Sequence, residues 1–123
     1  MKAAIITAPG SQALDASLKL TLQAQFDLVK DSAEAEVLLV VGGDGTMVWA
    51  TKEYQALDVP FYGINRGTIG FLLNNHGDSN HFATEIDSAV PTEFPLLQAK
   101  VHMLDGSVVS ALAFNDIWTK AIN

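Results

Sequence analysis

The sequence predicts an α/β fold: an open parallel sheet with helices on both faces, followed by the first antiparallel strands of a β-rich unit. Three observations carry this. Short apolar runs without alternation recur at residues 3–7, 37–41 and 60–64, as strands covered on both faces require. Segments with helical character separate those runs. Beyond Pro91, an Asp-Gly pair at 105–106 sits between two β-rich stretches, which is a strong hairpin signal.

Taken in order, the run at 3–7 is closed by Pro9-Gly10 and reads as a buried strand and its turn. Leu14, Leu18, Leu22 and Phe26 then recur at helical spacing with polar residues between them, which predicts an amphipathic helix. Val37-Leu38-Leu39-Val40-Val41 is the most apolar strand and suits the centre of a sheet. Residues 42–45 form a tight glycine-rich turn, 46–56 a helix and 60–64 another strand. Strand and helix thus alternate through the first half, and right-handed crossovers place the loops that follow the strands along one sheet edge. A short helix is expected at 81–90, a hairpin from 96–104 and 107–114, and a further strand at 117–122. Two domains are expected: 1–92, the α/β domain with the glycine-rich turn, and 93–123, the start of an incomplete, truncated β-rich domain. A hairpin without sheet partners is marginal alone.

Composition narrows the function. A chain of 123 residues with 49% hydrophobic and 17% charged residues has the make-up of a globular domain with a real core. A net charge of −7 cannot supply a large basic patch, so nucleic acid is not an expected partner. A phosphorylated ligand would be held mainly by backbone amides, helix ends and metal ions. The absence of cysteine excludes thiolate nucleophiles, disulfides and Cys-based zinc sites. No secretory signal or transmembrane-length apolar run occurs, so a cytoplasmic location without membrane partners is expected.

Three motifs carry chemistry. Gly42-Gly43-Asp44-Gly45-Thr46 follows the most apolar strand and opens a helix. Its glycines let the backbone approach a ligand, and the amides of the turn and helix start form a phosphate site. Asp44 would repel phosphate. It makes sense as a Mg²⁺ holder or as a proton acceptor for an attacking hydroxyl, against the plainer reading of a helix N-cap. The string lacks the Gly-Lys-Ser/Thr of a P-loop and the Gly-x-Gly-x-x-Gly of a dinucleotide fingerprint. The second motif spans 63–72. Gly67 and Gly70 permit a sharp loop, Asn65 can bond the neighbouring backbone, and Phe71 and Leu72 either close over a flat ring such as adenine or plug the core. The third is Asn115-Asp116, which is either a turn or a pair able to bond ribose hydroxyls. Lys52 and Arg66 are the basic residues nearest the glycine loops in sequence; either could meet a phosphate, but each reads first as a solvated charge. His76, His81 and His102 read as loop or surface residues, and Trp49 and Trp118 as core.

Gly-Gly-Asp-Gly-Thr, then Asn-x-Gly-x-x-Gly-Phe-Leu, then Asn followed by an acid, in this order, resembles the NAD kinase family. The resemblance covers nearly the whole chain and is weakest at 12–34. The first motif alone is shared with diacylglycerol kinases, sphingosine kinases and phosphofructokinases; the second narrows the choice. The resemblance implies a Rossmann-like α/β domain followed by a β-sandwich domain. It also implies transfer of the γ-phosphate of ATP, or of polyphosphate, to the 2′-hydroxyl of the adenosine ribose of NAD, with Mg²⁺ or another divalent cation. By resemblance, Asp44 is the catalytic proton acceptor and Gly42, Gly43, Gly45, Thr46, Asn65, Gly67 and Gly70 line the nucleotide. Phe71 lies near the NAD adenine, and Asn115 and Asp116 contact NAD. Asp116 is one methylene shorter than the Glu common in the family. A homo-oligomer, dimer or tetramer, is implied where the C-terminal domain is present. A nucleotide-binding module without catalysis and a lipid kinase of the diacylglycerol type are the alternatives.

Overall fold

The structure, a computed structural model, describes residues 1–67, 70–77 and 80–114. The chain divides into two compact units, the first Met1–Pro91 and the second starting at Thr92.

The first unit is built on four parallel strands: β1 (Lys2–Ile6), β2 (Asp27–Leu28), β3 (Val37–Gly42) and β4 (Phe61–Asn65). Their order across the sheet is β2-β1-β3-β4. All six residues of β3 are buried, as its unbroken apolar run requires. Because side chains alternate along a strand, β3 feeds two cores. Val37, Leu39 and Val41 join Ala3, Tyr62 and Ile64 under Leu18, Leu22 and Phe26 of the first helical segment and Phe82. Leu38 and Val40 join Ala4, Ile6 and Leu73 under Met47 and Ala50. Helix α1 (Ala16–Gln25) and helix α3 (Phe82–Ser88) therefore cover one face, and helix α2 (Asp44–Tyr54) covers the other.

The expected open α/β sheet is present, with two differences in detail. Helix α1 starts at Ala16 and not at Leu14, because Asp15 caps it: the Asp15 carboxylate accepts from the Leu18 amide at 2.7 Å. The edge strand β2 was not expected. It has two residues, too few for a periodic pattern, and is fixed by pairing Lys2 with Asp27 and Ala3 with Leu28.

In the second unit, β5 (Leu97–His102) and β6 (Val108–Ala113) form the expected antiparallel hairpin. Gly106 takes φ +89°, a conformation that favours glycine. Asp105 accepts from the Ser107 hydroxyl and amide, and these bonds hold its carboxyl below the usual range. The strand expected at 117–122 lies outside the described residues.

Candidate functional site

The sheet order fixes where a ligand crevice belongs. From β1 the chain passes through α1 to β2 on one side; from β3 it passes through α2 to β4 on the other. The strand order reverses between β1 and β3, and open α/β sheets bind ligands outside the carboxyl ends of strands at such a point. The glycine-rich turn leaves β3 there. Gly42, the last residue of β3, pairs with Asn65, the last residue of β4, so two of the sequence motifs begin side by side.

Their backbones then interlock. The Arg66 amide donates to the Gly42 carbonyl at 2.8 Å. A Cβ on Gly67 would lie 3.7 Å from the Gly43 Cα. Asn65 holds the second loop from within: its Oδ1 accepts from the Gly67 amide at 2.9 Å, and its Nδ2 donates to Asn75. A Cβ on Gly70 would sit 2.8 Å from the Asn65 side chain, so glycine is needed for that approach. The chain then returns beside β4, with the Asn74 amide and Nδ2 both donating to the Gly63 carbonyl.

The glycines of the first motif have two distinct jobs. Gly42 is structural, since a Cβ there would lie 2.5 Å from the Thr46 Oγ1. Gly43 and Gly45 are different: a Cβ on either would meet nothing within 4 Å. Packing within the described residues therefore does not require glycine at either position, and both leave the backbone open to close approach. Gly43 is the N-cap of α2, which has no side-chain cap, so the amides of its first turn and the positive end of its dipole suit an anion.

Asp44 is not the N-cap. It is the first residue of α2, and its carboxylate crosses to the second loop. Oδ1 accepts from the Phe71 amide at 3.0 Å and the Leu72 amide at 2.9 Å, while Oδ2 lies 3.1 Å from the Phe71 amide. Phe71 does not plug the core: it is 87% exposed beside the turn. Leu72 does pack against the α2-side core. Arg66 is loosely paired with Asp15 at 4.0 Å. Lys52 stands in the last turn of α2, eight residues from Asp44 and so ~12 Å along the helix from the glycine turn. Asn115 and Asp116 lie outside the described residues, as does Trp118. Trp49 is partly buried against the α2-side core.

His76 lies in a loop, as expected, but its side chain is only 7% exposed and is turned inward. Its Nδ1 pairs with Glu85 of α3, its Nε2 lies 3.4 Å from the Tyr62 hydroxyl, and its ring meets Phe82 edge-on. The Tyr62 hydroxyl donates to Glu85 at 3.2 Å. Burial first, then the Glu85 carboxylate, push the Tyr62 hydroxyl up to about 12 from 10.0. The folded state therefore prefers neutral tyrosine. That contribution to stability is complete below pH ~10 and is lost as the pH rises through about 12. Thermal melts across that window should fall more steeply for the wild type than for Tyr62→Phe; parallel curves would remove Tyr62 as the titrating group.

No cluster of three or more His, Cys, Asp or Glu residues that could hold a metal occurs among the described residues. A shallow depression near Lys30, Tyr54 and Leu57 lies by the starts of β3 and β4, at the sheet edge opposite the glycine loops.

Residues 18–94 match the family described as the ATP-NAD kinase N-terminal domain. The chain belongs to the NAD kinase family. It is 42% identical over 85 residues to a protein named NAD kinase from Rickettsia canadensis, covering 68% of this chain and 32% of that one. It is 37% identical over 87 residues to an NAD kinase from Rickettsia bellii, covering 71% and 34%. The chain thus spans about a third of the length of the curated relatives it matches. Membership of the NAD kinase family agrees with the two glycine-rich motifs that suggested it. No helix among the described residues is long and apolar enough to cross a membrane.

Proposed function

We propose that this chain supplies the nucleotide-binding part of an NAD kinase, which transfers the γ-phosphate of ATP, or a phosphoryl group of polyphosphate, to the 2′-hydroxyl of the adenosine ribose of NAD. The observation that carries this reading is the junction of two glycine loops, where Gly43 and Gly45 face open space at an uncapped helix start and Phe71 stands exposed beside them. The relatives' names supply the substrate.

In this reading the amides of 43–46 take phosphate oxygens and the Phe71 ring lies against the adenine. Asp44 accepts the proton of the attacking hydroxyl. The Phe71 amide is shared between Oδ1 and Oδ2, so Oδ2 keeps a lone pair for this, since a carboxylate offers about four acceptor positions. Phosphoryl transfer rests on alignment and charge neutralisation more than on covalent chemistry, so backbone donors suit it. A divalent cation fits as a companion of the donor's phosphates, with Asp44 as the carboxylate in the turn, because Mg²⁺ commonly keeps its waters and takes few protein ligands. Bound there, it would neutralise phosphate charge. Asn115 and Asp116 would contact NAD, and Asn65, Gly67 and Gly70 would shape the loop beneath it. The division at about residue 92 separates this α/β domain from the start of a β-rich one. The proposal includes a cytoplasmic homo-oligomer, dimer or tetramer, in the whole protein.

The test is NADP formation from NAD with ATP and Mg²⁺, read through an NADP-specific dehydrogenase. NADP made by the wild type and not by Asp44→Asn supports the kinase. Saturable NAD binding without NADP would make the chain a binding module.

A further inference from the structure

Resting on the nucleotide reading, we propose that Asp44 is also a positioning residue, a clasp whose carboxylate holds the loop that carries Phe71. Three observations support this.

The first is the bonding. Two successive amides, Phe71 and Leu72, converge on one carboxylate that is 27 and 28 residues distant in sequence. Consecutive N–H groups around an anion form a small nest, and bonds to an ionised acceptor are shorter and stronger than neutral ones. A proton acceptor alone has no need of these bonds.

The second is how little, among the described residues, orients the Phe71 ring. Its ring is 87% exposed, so core packing does not orient it. Its position follows from the backbone, and Asp44 holds that backbone at residue 71 itself. On its C-terminal side the nearest fixed points are Leu72 and Leu73 in the α2-side core and the return of Asn74 to β4.

The third is where the clasp is anchored. Asp44 lies in the first turn of α2, between Gly43 and Gly45, the glycines that face open space. One residue therefore ties the surface suited to phosphate to the exposed aromatic ring. A ligand that carries phosphates and a flat base, such as an adenine dinucleotide, would meet both at a fixed separation. Fixing that separation before binding lowers the ordering cost of the complex.

The clasp and the proton acceptor make different predictions for two substitutions. Asp44→Asn keeps a side-chain oxygen that can accept from both amides and discards the base. Asp44→Ala discards both. Amide hydrogen exchange reads the clasp without any ligand. Protection at Phe71 and Leu72 should fall ~10-fold or more in Asp44→Ala, which has no acceptor, and clearly less in Asp44→Asn, which keeps a neutral one. Calorimetric titration with NAD should then give affinities within about threefold for wild type and Asp44→Asn, and a ~10-fold loss for Asp44→Ala. In a Phe71→Ala background the Asp44→Ala loss should largely disappear, because coupled residues do not add.

Unchanged protection of both amides in Asp44→Ala would overturn the clasp. So would an Asp44→Ala affinity loss of the same size with and without the Phe71 ring. If the wild type binds no NAD, the nucleotide reading fails, and the exchange data alone decide whether Asp44 holds the loop.

Discussion

Asp44→Asn is expected to lower NADP formation by ~10²–10⁴-fold, the usual worth of a positioned proton acceptor, while leaving the melting temperature near that of the wild type. The two halves of this expectation come from different atoms. In the proposed mechanism turnover would need a carboxylate that can take a proton, which an amide cannot do. Stability needs an acceptor for the Phe71 and Leu72 amides, and the Asn Oδ1 supplies one. A variant that kept wild-type turnover would remove Asp44 from proton transfer. One that lost activity only because it unfolded would show that the interlock of the two loops, and not the chemistry, was being measured. Coupled-assay rates beside thermal melts separate these outcomes.

Gly45→Ala has the second largest expected effect and the more unusual signature, because stability and affinity should move in opposite directions. Gly45 does not have a positive φ, and a Cβ on it would meet nothing within 4 Å. Backbone strain, the reason a glycine in such a turn first suggests, is therefore not what an alanine would introduce. In the first turn of α2, alanine should stabilise the helix by a few tenths to about 1 kcal/mol. The added methyl would instead occupy the open surface on which a phosphate would lie. Overpacking of that kind costs ~1–3 kcal/mol, or roughly 5- to 150-fold in nucleotide affinity. Raised melting temperature with weakened NAD and ATP binding by calorimetry is the expected pair. Unchanged affinity would mean that no ligand comes close at Gly45. By contrast, the same change at Gly42 would drive a Cβ to 2.5 Å from the Thr46 Oγ1 and should cost stability.

Much of this site could be read from the sequence because local rules set it. The apolar run of β3 had to be central, and three glycines in four positions after it had to form a turn at a helix start. Asn65 was legible as a loop fastener, since Asn side chains commonly bond the backbone two residues on, as they do here to Gly67. What could not be read depends on contacts distant in sequence. Nothing near Asp44 signals that its carboxylate ends on amides at 71 and 72. No spacing relates Tyr62, His76 and Glu85, which meet only because the chain returns beside β4 and α3 packs over it. The exposure of Phe71 was likewise undecidable, since an aromatic after a glycine serves a core or a ligand equally well in sequence. Strand β2 escaped because two residues hold no period, and its pairing with β1 is purely tertiary.

The central claim is that a nucleotide lies where the two glycine loops meet. Mapping backbone amide chemical shifts during a titration with NAD tests it most directly. Saturable changes should concentrate at Gly43, Asp44, Gly45, Thr46 and Phe71 and leave the Lys30–Tyr54 depression unaffected. Saturable changes centred on that depression, or none at the glycine loops at millimolar NAD, would contradict it.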